Sequence, residues 1–135
     1  MRHAIALLIA LVLNATANVL MKVGMKSVAE EGGILRGGVT GGIRAVLTSG
    51  PLIIGLTCFA LNAAFYMYAL QSKALKISIA YPIMVGGGFA LIAVIAHLHP
   101  ALAERLTVGQ WLGVALVMTG ICLIAWQIEP AGLAE

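Results

Sequence analysis

Four uninterrupted apolar stretches, each about as long as a bilayer is thick, constrain this chain more than anything else in it. They cover residues 4–21 (AIALLIALVLNATANVLM), 51–70 (PLIIGLTCFALNAAFYMYAL), 77–96 (ISIAYPIMVGGGFALIAVIA) and 108–128 (VGQWLGVALVMTGICLIAWQI). A hydrocarbon core about 30 Å thick is crossed by roughly 20 helical residues at 1.5 Å each. Isolated strands would leave backbone donors and acceptors unpaired in lipid, so each stretch is expected to be a helix. The sequence therefore predicts an all-α integral membrane protein, a single four-helix transmembrane domain over residues 1–135.

Only 10% of the residues are charged and 61% are hydrophobic, whereas a soluble domain carries about 25% charged residues. That excludes a water-soluble enzyme and a disordered tail. The net charge is +3, but the basic residues are scattered, which excludes a nucleic-acid binder. Cys58 and Cys122 lie inside apolar runs without CxxC spacing and read as small buried hydrophobes. Arg2, the apolar run after it and Ala15-Thr16-Ala17 mimic a cleavable signal. Three further spans follow, so an uncleaved first helix is expected.

The first connection, residues 22–50, is much longer than the other two. It holds Lys22, Lys26, Glu30 and Glu31, then GGILRGGVTGGIRAVLTSG, with seven of the sixteen glycines. A flexible linker is one reading. Yet Ile34, Leu35, Val39, Ile43, Val46 and Leu47, punctuated by Arg36 and Arg44, are too apolar for free solution. A short segment lying in the membrane interface is expected. Arg2, Lys73 and Lys76 fall on one side of the membrane, and Lys22, Lys26, Arg36, Arg44 and Arg105 on the other. Five against three weakly favours both termini outside the cytoplasm.

Helices about 10–12 Å across pack solidly in fours and leave no wide pathway, so a transport role implies a dimer. Gly109 and Gly113 form GxxxG in the fourth span, and Gly120 lies two turns beyond Gly113. Such small residues permit close helix pairing, either at a dimer interface or within the subunit. In the third span Pro82 removes a backbone hydrogen bond and Gly86-Gly87-Gly88 follows. This soft point reads either as a kink that accommodates a neighbour or as a hinge.

Asn14, Asn18 and Lys22 recur every fourth residue and share one face of the first helix. Asn14 is mid-span, so its carboxamide must face another helix or a wet cavity. Interhelical glue is one reading, with Asn62 as its natural partner; the other is a substrate cavity shared with Tyr66 and Tyr81, which also read as interface-belt residues. Lys22 either snorkels to the interface or meets substrate. No Asp or Glu lies in any span, so proton exchange at an embedded carboxylate is not expected. His97 and His99 read as a helix end rather than a metal pair. No nucleophile–base pair, phosphate loop or carboxylate pair is present in the sequence. Neither catalysis nor a cofactor or metal is expected. Trp111 and Trp126 bracket the fourth span as interface anchors.

The order LNATANVLMK, FYMYALQSKALKISIAYPI, GGG, AERL, QWLG and a glycine seven residues on resembles the small four-helix branch of the drug/metabolite transporter superfamily. That branch includes the small multidrug resistance (EamA-like) exporters and the paired flippase subunits for undecaprenyl-phosphate-linked aminoarabinose. The resemblance runs from Ala4 to Trp126 apart from the first loop. It implies a dimer whose first three helices line the pathway and whose fourth pairs the subunits. It places Tyr81 at the exporters' cavity tyrosine, Gly86 and Gly88 at their hinge, and Gly113 and Gly120 at their dimer helix. Asn14 stands where the exporters have their essential glutamate, and Met84 where they have a cavity tryptophan. Cation binding and proton coupling therefore do not carry over, and the long first loop and SKALKISIAYP look more like the flippase subunits.

The expected function is a small dimeric transporter, a homodimer or a heterodimer with a paralogue, in a bacterial inner membrane. Its substrate would be amphipathic, a lipid or lipid-linked sugar. The headgroup would pass Asn14, Asn18, Tyr66, Tyr81 and Met84, and Lys22 and Lys26 would meet a phosphate. The alternatives are an exporter of drugs or metabolites without glutamate coupling, and a membrane scaffold subunit that transports nothing itself.

Overall fold

The computed structural model describes residues 1–30, 32–33, 38–73, 75–99, 102 and 104–126. The expectations placed on Glu31, Ile34, Leu35, Arg36 and on residues 127–128 of the fourth span lie outside these. Five helices follow in order: α1 (Arg2–Glu30), α2 (Gly38–Thr48), α3 (Gly50–Ala69), α4 (Ile77–Leu98) and α5 (Val108–Trp126). No strand occurs among the described residues. Helices α1, α3, α4 and α5 are each long and apolar enough to cross a membrane. The chain is an all-α, multi-pass membrane protein.

The first connection is mostly helix rather than loop. α1 has 29 residues, about 44 Å at 1.5 Å per residue, which exceeds a core of about 30 Å. It continues through Lys22, Lys26 and Glu30. It stops at two glycines with positive φ, Gly32 at 108° and Gly33 at 83°. The Gly32 N–H donates to the Ala29 carbonyl and the Gly33 N–H to the Val28 carbonyl. This Schellman closure satisfies carbonyls that the helix end would otherwise orphan.

α2 is the apolar part of that connection. Val39, Ile43 and Leu47, four residues apart, form an exposed stripe, with Arg44 and Thr48 on the neighbouring face. Ser49, in extended conformation, separates α2 from α3. Pro51 then sits in the first turn of α3, where its missing N–H has no intrahelical partner to lose. α5 opens on a reciprocal cap. Gln110 Oε1 accepts from the Thr107 N–H at 2.7 Å, and the Gln110 N–H donates to Thr107 Oγ1 at 3.4 Å.

α1 packs mainly on α3 and then on α4, while α5 is held by α4. Among the described residues ten apolar side chains are buried and seven of these are alanine, so close backbone approach rather than large side chains holds the bundle. Gly24 and Gly55 mark where α1 and α3 come nearest. A Cβ on Gly24 would lie 2.6 Å from Leu52 Cγ, and one on Gly55 3.2 Å from the Ala17 carbonyl oxygen. At one end of the bundle Ala6, Leu7, Ala69 and Ala80 form a small core, and His3 Nδ1 donates to the Tyr68 carbonyl at 3.1 Å.

Large apolar residues such as Leu8, Phe89, Leu112 and Leu116 face outward. Water would oppose that arrangement and a bilayer favours it. No residue of α5 is buried, because that helix has a single well-packed neighbour. Cys122 is accordingly exposed and Cys58 half-buried, both as free thiols. This corrects the expectation that both are buried.

Candidate functional site

The polar stripe of α1 is continuous. Asn14 is half-buried against α4, its Nδ2 lying 3.0 Å from where a Cβ on Gly88 would stand. Asn18 is exposed and its Nδ2 donates to the Asn14 carbonyl at 2.8 Å, with Asn14 Oδ1 at 3.5 Å. One turn further, Lys22 Nζ lies 3.6 Å from Glu104 Oε1 in the connection between α4 and α5. These side chains are 67% and 47% exposed, so water screens the pair and its contribution to stability is small.

Asn62 does not pair with Asn14. It is only 5% exposed, and its Oδ1 has no hydrogen-bond partner among the described residues. The Tyr66 hydroxyl, one turn on along α3, is likewise buried and unpaired. An unsatisfied buried polar group costs about 1–3 kcal/mol, so these two groups stand ready to accept or donate to something else. Tyr66 and Met84 both pack against the Ala6–Leu7–Ala69–Ala80 core. Tyr81, by contrast, is 54% exposed on α4. A single chain therefore presents the candidate residues on two sides: Asn14, Asn18 and Lys22 along α1, and Tyr66, Met84 and Tyr81 at the α3–α4 end.

The three consecutive glycines of α4 serve three contacts. Ile121 and Val117 of α5 fill the space beside Gly86, Leu11 of α1 stands 2.5 Å from a Cβ on Gly87, and Asn14 faces Gly88. Residues two apart on a helix point about 200° from each other, so Gly86 and Gly88 admit neighbours on opposite sides. Pro82 is the sixth residue of α4 and forgoes only the bond to the Ser78 carbonyl. Beyond the backbone of their own helix, Gly109, Gly113 and Gly120 meet nothing among the described residues within 4 Å of a Cβ. His97 sits edge-on to Trp111 with ring centroids 5.6 Å apart, and the His99 N–H closes α4 on the Ile95 carbonyl.

Two participants escaped the sequence reading. Glu104 is the ion-pair partner of Lys22, yet between spans it reads as an ordinary loop charge. Asn62 read as a partner and is instead an orphan. Thr107 and Gln110 did carry a legible signal, the T-x-x-Q spacing of a capping box.

Four membrane-length helices carrying a polar stripe make this a small multi-pass membrane protein, and its relatives make it drug/metabolite transporter-like. The chain is 32% identical over 108 residues to the uncharacterized protein y4nH of Sinorhizobium fredii, covering 80% of this chain and 81% of that protein. It is 35% identical over 85 residues to a protein of Yersinia pestis named probable 4-amino-4-deoxy-L-arabinose-phosphoundecaprenol flippase subunit ArnE, covering 63% of this chain and 70% of that one. A like-named protein of Yersinia pseudotuberculosis is 34% identical over 85 residues. The chain belongs to the family of these ArnE-like proteins. No family model matches it, and neither does any solved structure.

Proposed function

We propose that this protein is one subunit of a dimeric flippase that carries a lipid-linked sugar of the polyprenyl-phosphate type across a bacterial inner membrane. The partner is a second copy or a paralogue. The observation that carries this reading is the stripe of Asn14, Asn18 and Lys22. It offers uncharged hydrogen-bonding groups in mid-span and a cation at the membrane surface. A sugar hydroxyl suits the carboxamides and a phosphate suits the ammonium. The names of the ArnE relatives support the same substrate class.

The route runs along α1, with the tail left in lipid. Gly86 to Gly88 supply the hinge, and Tyr66, Tyr81 and Met84 complete the cavity when a second subunit faces this one. The absence of Asp and Glu from the four sequence stretches favours this reading over a proton-coupled exporter.

The test is translocation of a fluorescent polyprenyl-phosphate sugar in proteoliposomes, with the chain reconstituted alone and with its co-expressed paralogue. Asn14→Ala and Lys22→Ala together are expected to abolish flipping while the protein still inserts. Unchanged flipping in that double variant would remove the stripe from the route. Dependence of flipping on a proton gradient would favour the exporter reading.

A further inference from the structure

Asn62 is the only polar residue buried among the described residues. The buried residues of α3 are Leu52, Gly55, Asn62 and Ala69, and the last three recur every seventh residue along the seam with α1. Gly55 and Ala69 are small and apolar, so the packing of α3 on α1 does not call for a carboxamide between them. Asn62 Oδ1 has no hydrogen-bond partner among the described residues, and neither has the Tyr66 hydroxyl one turn on. Residues four apart on a helix are neighbours, about 5–6 Å between Cβ atoms. Two unsatisfied groups side by side oppose folding, and polar groups kept at such a cost point to a ligand.

The seam is interlocked over one half and smooth over the other. Leu52 stands where a Cβ on Gly24 would lie, and Met21, Leu20 and the Ala17 carbonyl crowd Gly55. Toward the other end Ala6 shares a core with Ala69, so the two helices run antiparallel. Seven residues on from Gly55 therefore answers to seven back along α1, and Asn62 falls at the level of Ala10, Leu13 and Asn14. In this half the buried α1 residues toward α3 are Ala6 and Ala10, whose methyls key into nothing. Among the described residues one side-chain hydrogen bond crosses it, the exposed contact of His3 with the Tyr68 carbonyl. α1 and α3 can part here without unlocking Gly24 and Gly55.

Parting turns Asn14, Asn62 and Tyr66 onto one space. All three are neutral, and residues 4–21 and 51–70 hold no Asp, Glu, Lys or Arg. An ion entering there would meet no countercharge. A hydroxyl suits the pair on α3, since it donates to Asn62 Oδ1 and accepts from the Tyr66 phenol. We propose that Asn62 binds a hydroxyl of the substrate's sugar and forms, with Tyr66, the α3 half of a headgroup site that α1 covers in this state. The inference rests on the proposed function for the lipid-linked sugar. It adds a binding residue that lies off the polar stripe.

The test is thiol accessibility in proteoliposomes, with Cys58 and Cys122 replaced by alanine and Asn62→Cys added. N-ethylmaleimide is expected to modify position 62, about tenfold more slowly with polyprenyl-phosphate glucose present than with bare polyprenyl phosphate. Leu52→Cys, in the interlocked half, is expected to stay unmodified. In the chain with its own cysteines, Asn62→Leu should slow flipping of the sugar lipid about tenfold, the loss of one hydrogen bond. The same variant should spare bare polyprenyl phosphate and leave the melting temperature unlowered. A thiol at position 62 that is never modified overturns the proposal, as does one modified equally with either lipid or no faster than position 52. So does an Asn62→Leu variant that slows both lipids alike, which marks a structural carboxamide. Flipping that persists with no protection of position 62 sinks this site alone. Protection without any flipping leaves the site standing and sinks the transport reading.

Discussion

Ile121 of α5 occupies the space that a Cβ on Gly86 of α4 would need, and Val117 closes on the same point. This is where the otherwise exposed α5 is held to the rest of the bundle. The contact gives Gly86 a packing role that precedes any hinge role, because a helix must be seated before it can pivot.

Gly86→Ala is expected to destabilise the protein in detergent by about 1–3 kcal/mol, the usual cost of overpacking. Ile121→Ala made in the same background should recover much of that loss by opening room for the new methyl. Gly87→Ala meets only the end of the flexible Leu11 side chain and should cost less. Thermal unfolding of the three variants checks the order. Equal losses for Gly86→Ala and Gly87→Ala would show that backbone flexibility, not the Ile121 contact, fixes the glycine.

Helix existence was legible in the sequence because apolar length is a local property. Helix ends were less so. The first span reads as residues 4–21 with Lys22 continuing its polar face, but α1 runs on to Glu30 and is closed at Gly32–Gly33. The GGG of α4 was visible, whereas the assignment of one glycine to Ile121, one to Leu11 and one to Asn14 depends on how three helices meet. No spacing in a single helix encodes that. The Asn14–Asn62 pairing failed for the same reason, since residue type gave a plausible partner and the packing gave another neighbour, Gly88.

Asn62 and Tyr66 bring two unpaired polar atoms into the interior of the subunit. If they serve only structure, removing them relieves an unsatisfied group. Tyr66→Phe and Asn62→Leu are then expected to be neutral or to stabilise the subunit by up to about 1 kcal/mol. Under the proposed function Tyr66→Phe should also slow flipping several-fold without lowering stability. Loss of stability in Tyr66→Phe would show instead that its hydroxyl has a partner in the assembled protein.

α2 presents Val39, Ile43 and Leu47 outward with Arg44 beside them, the pattern of a helix lying in the plane of a bilayer surface. A nitroxide on a cysteine at position 43 should report a depth of about 5–10 Å below the phosphates. One at position 44 should remain accessible to water-soluble relaxation agents. Leu47→Glu should shift the depth outward and leave α1, α3 and α4 in place. Equal water accessibility at positions 43 and 44 would assign α2 to the aqueous phase.

Apart from the backbone of their own helix, Gly109, Gly113 and Gly120 have no atom of the described residues packed within 4 Å of a would-be Cβ. Adding a methyl at any of them therefore costs the isolated subunit nothing in contacts, and alanine has the higher helix propensity by roughly 1 kcal/mol. If these glycines serve only the subunit, Gly109→Ala and Gly120→Ala should raise its melting temperature slightly and change nothing else. If α5 pairs subunits, the same substitutions should weaken dimerisation, and Gly120→Leu should abolish it while the monomer keeps its helix content. Sedimentation equilibrium in detergent, read beside circular dichroism, separates the two. Gly120 is the more informative position of the last two glycines, because Gly113 also borders the gap between α4 and α5, where a bulky residue would act within the subunit as well. A dimer undiminished by Gly120→Leu would move subunit pairing away from α5.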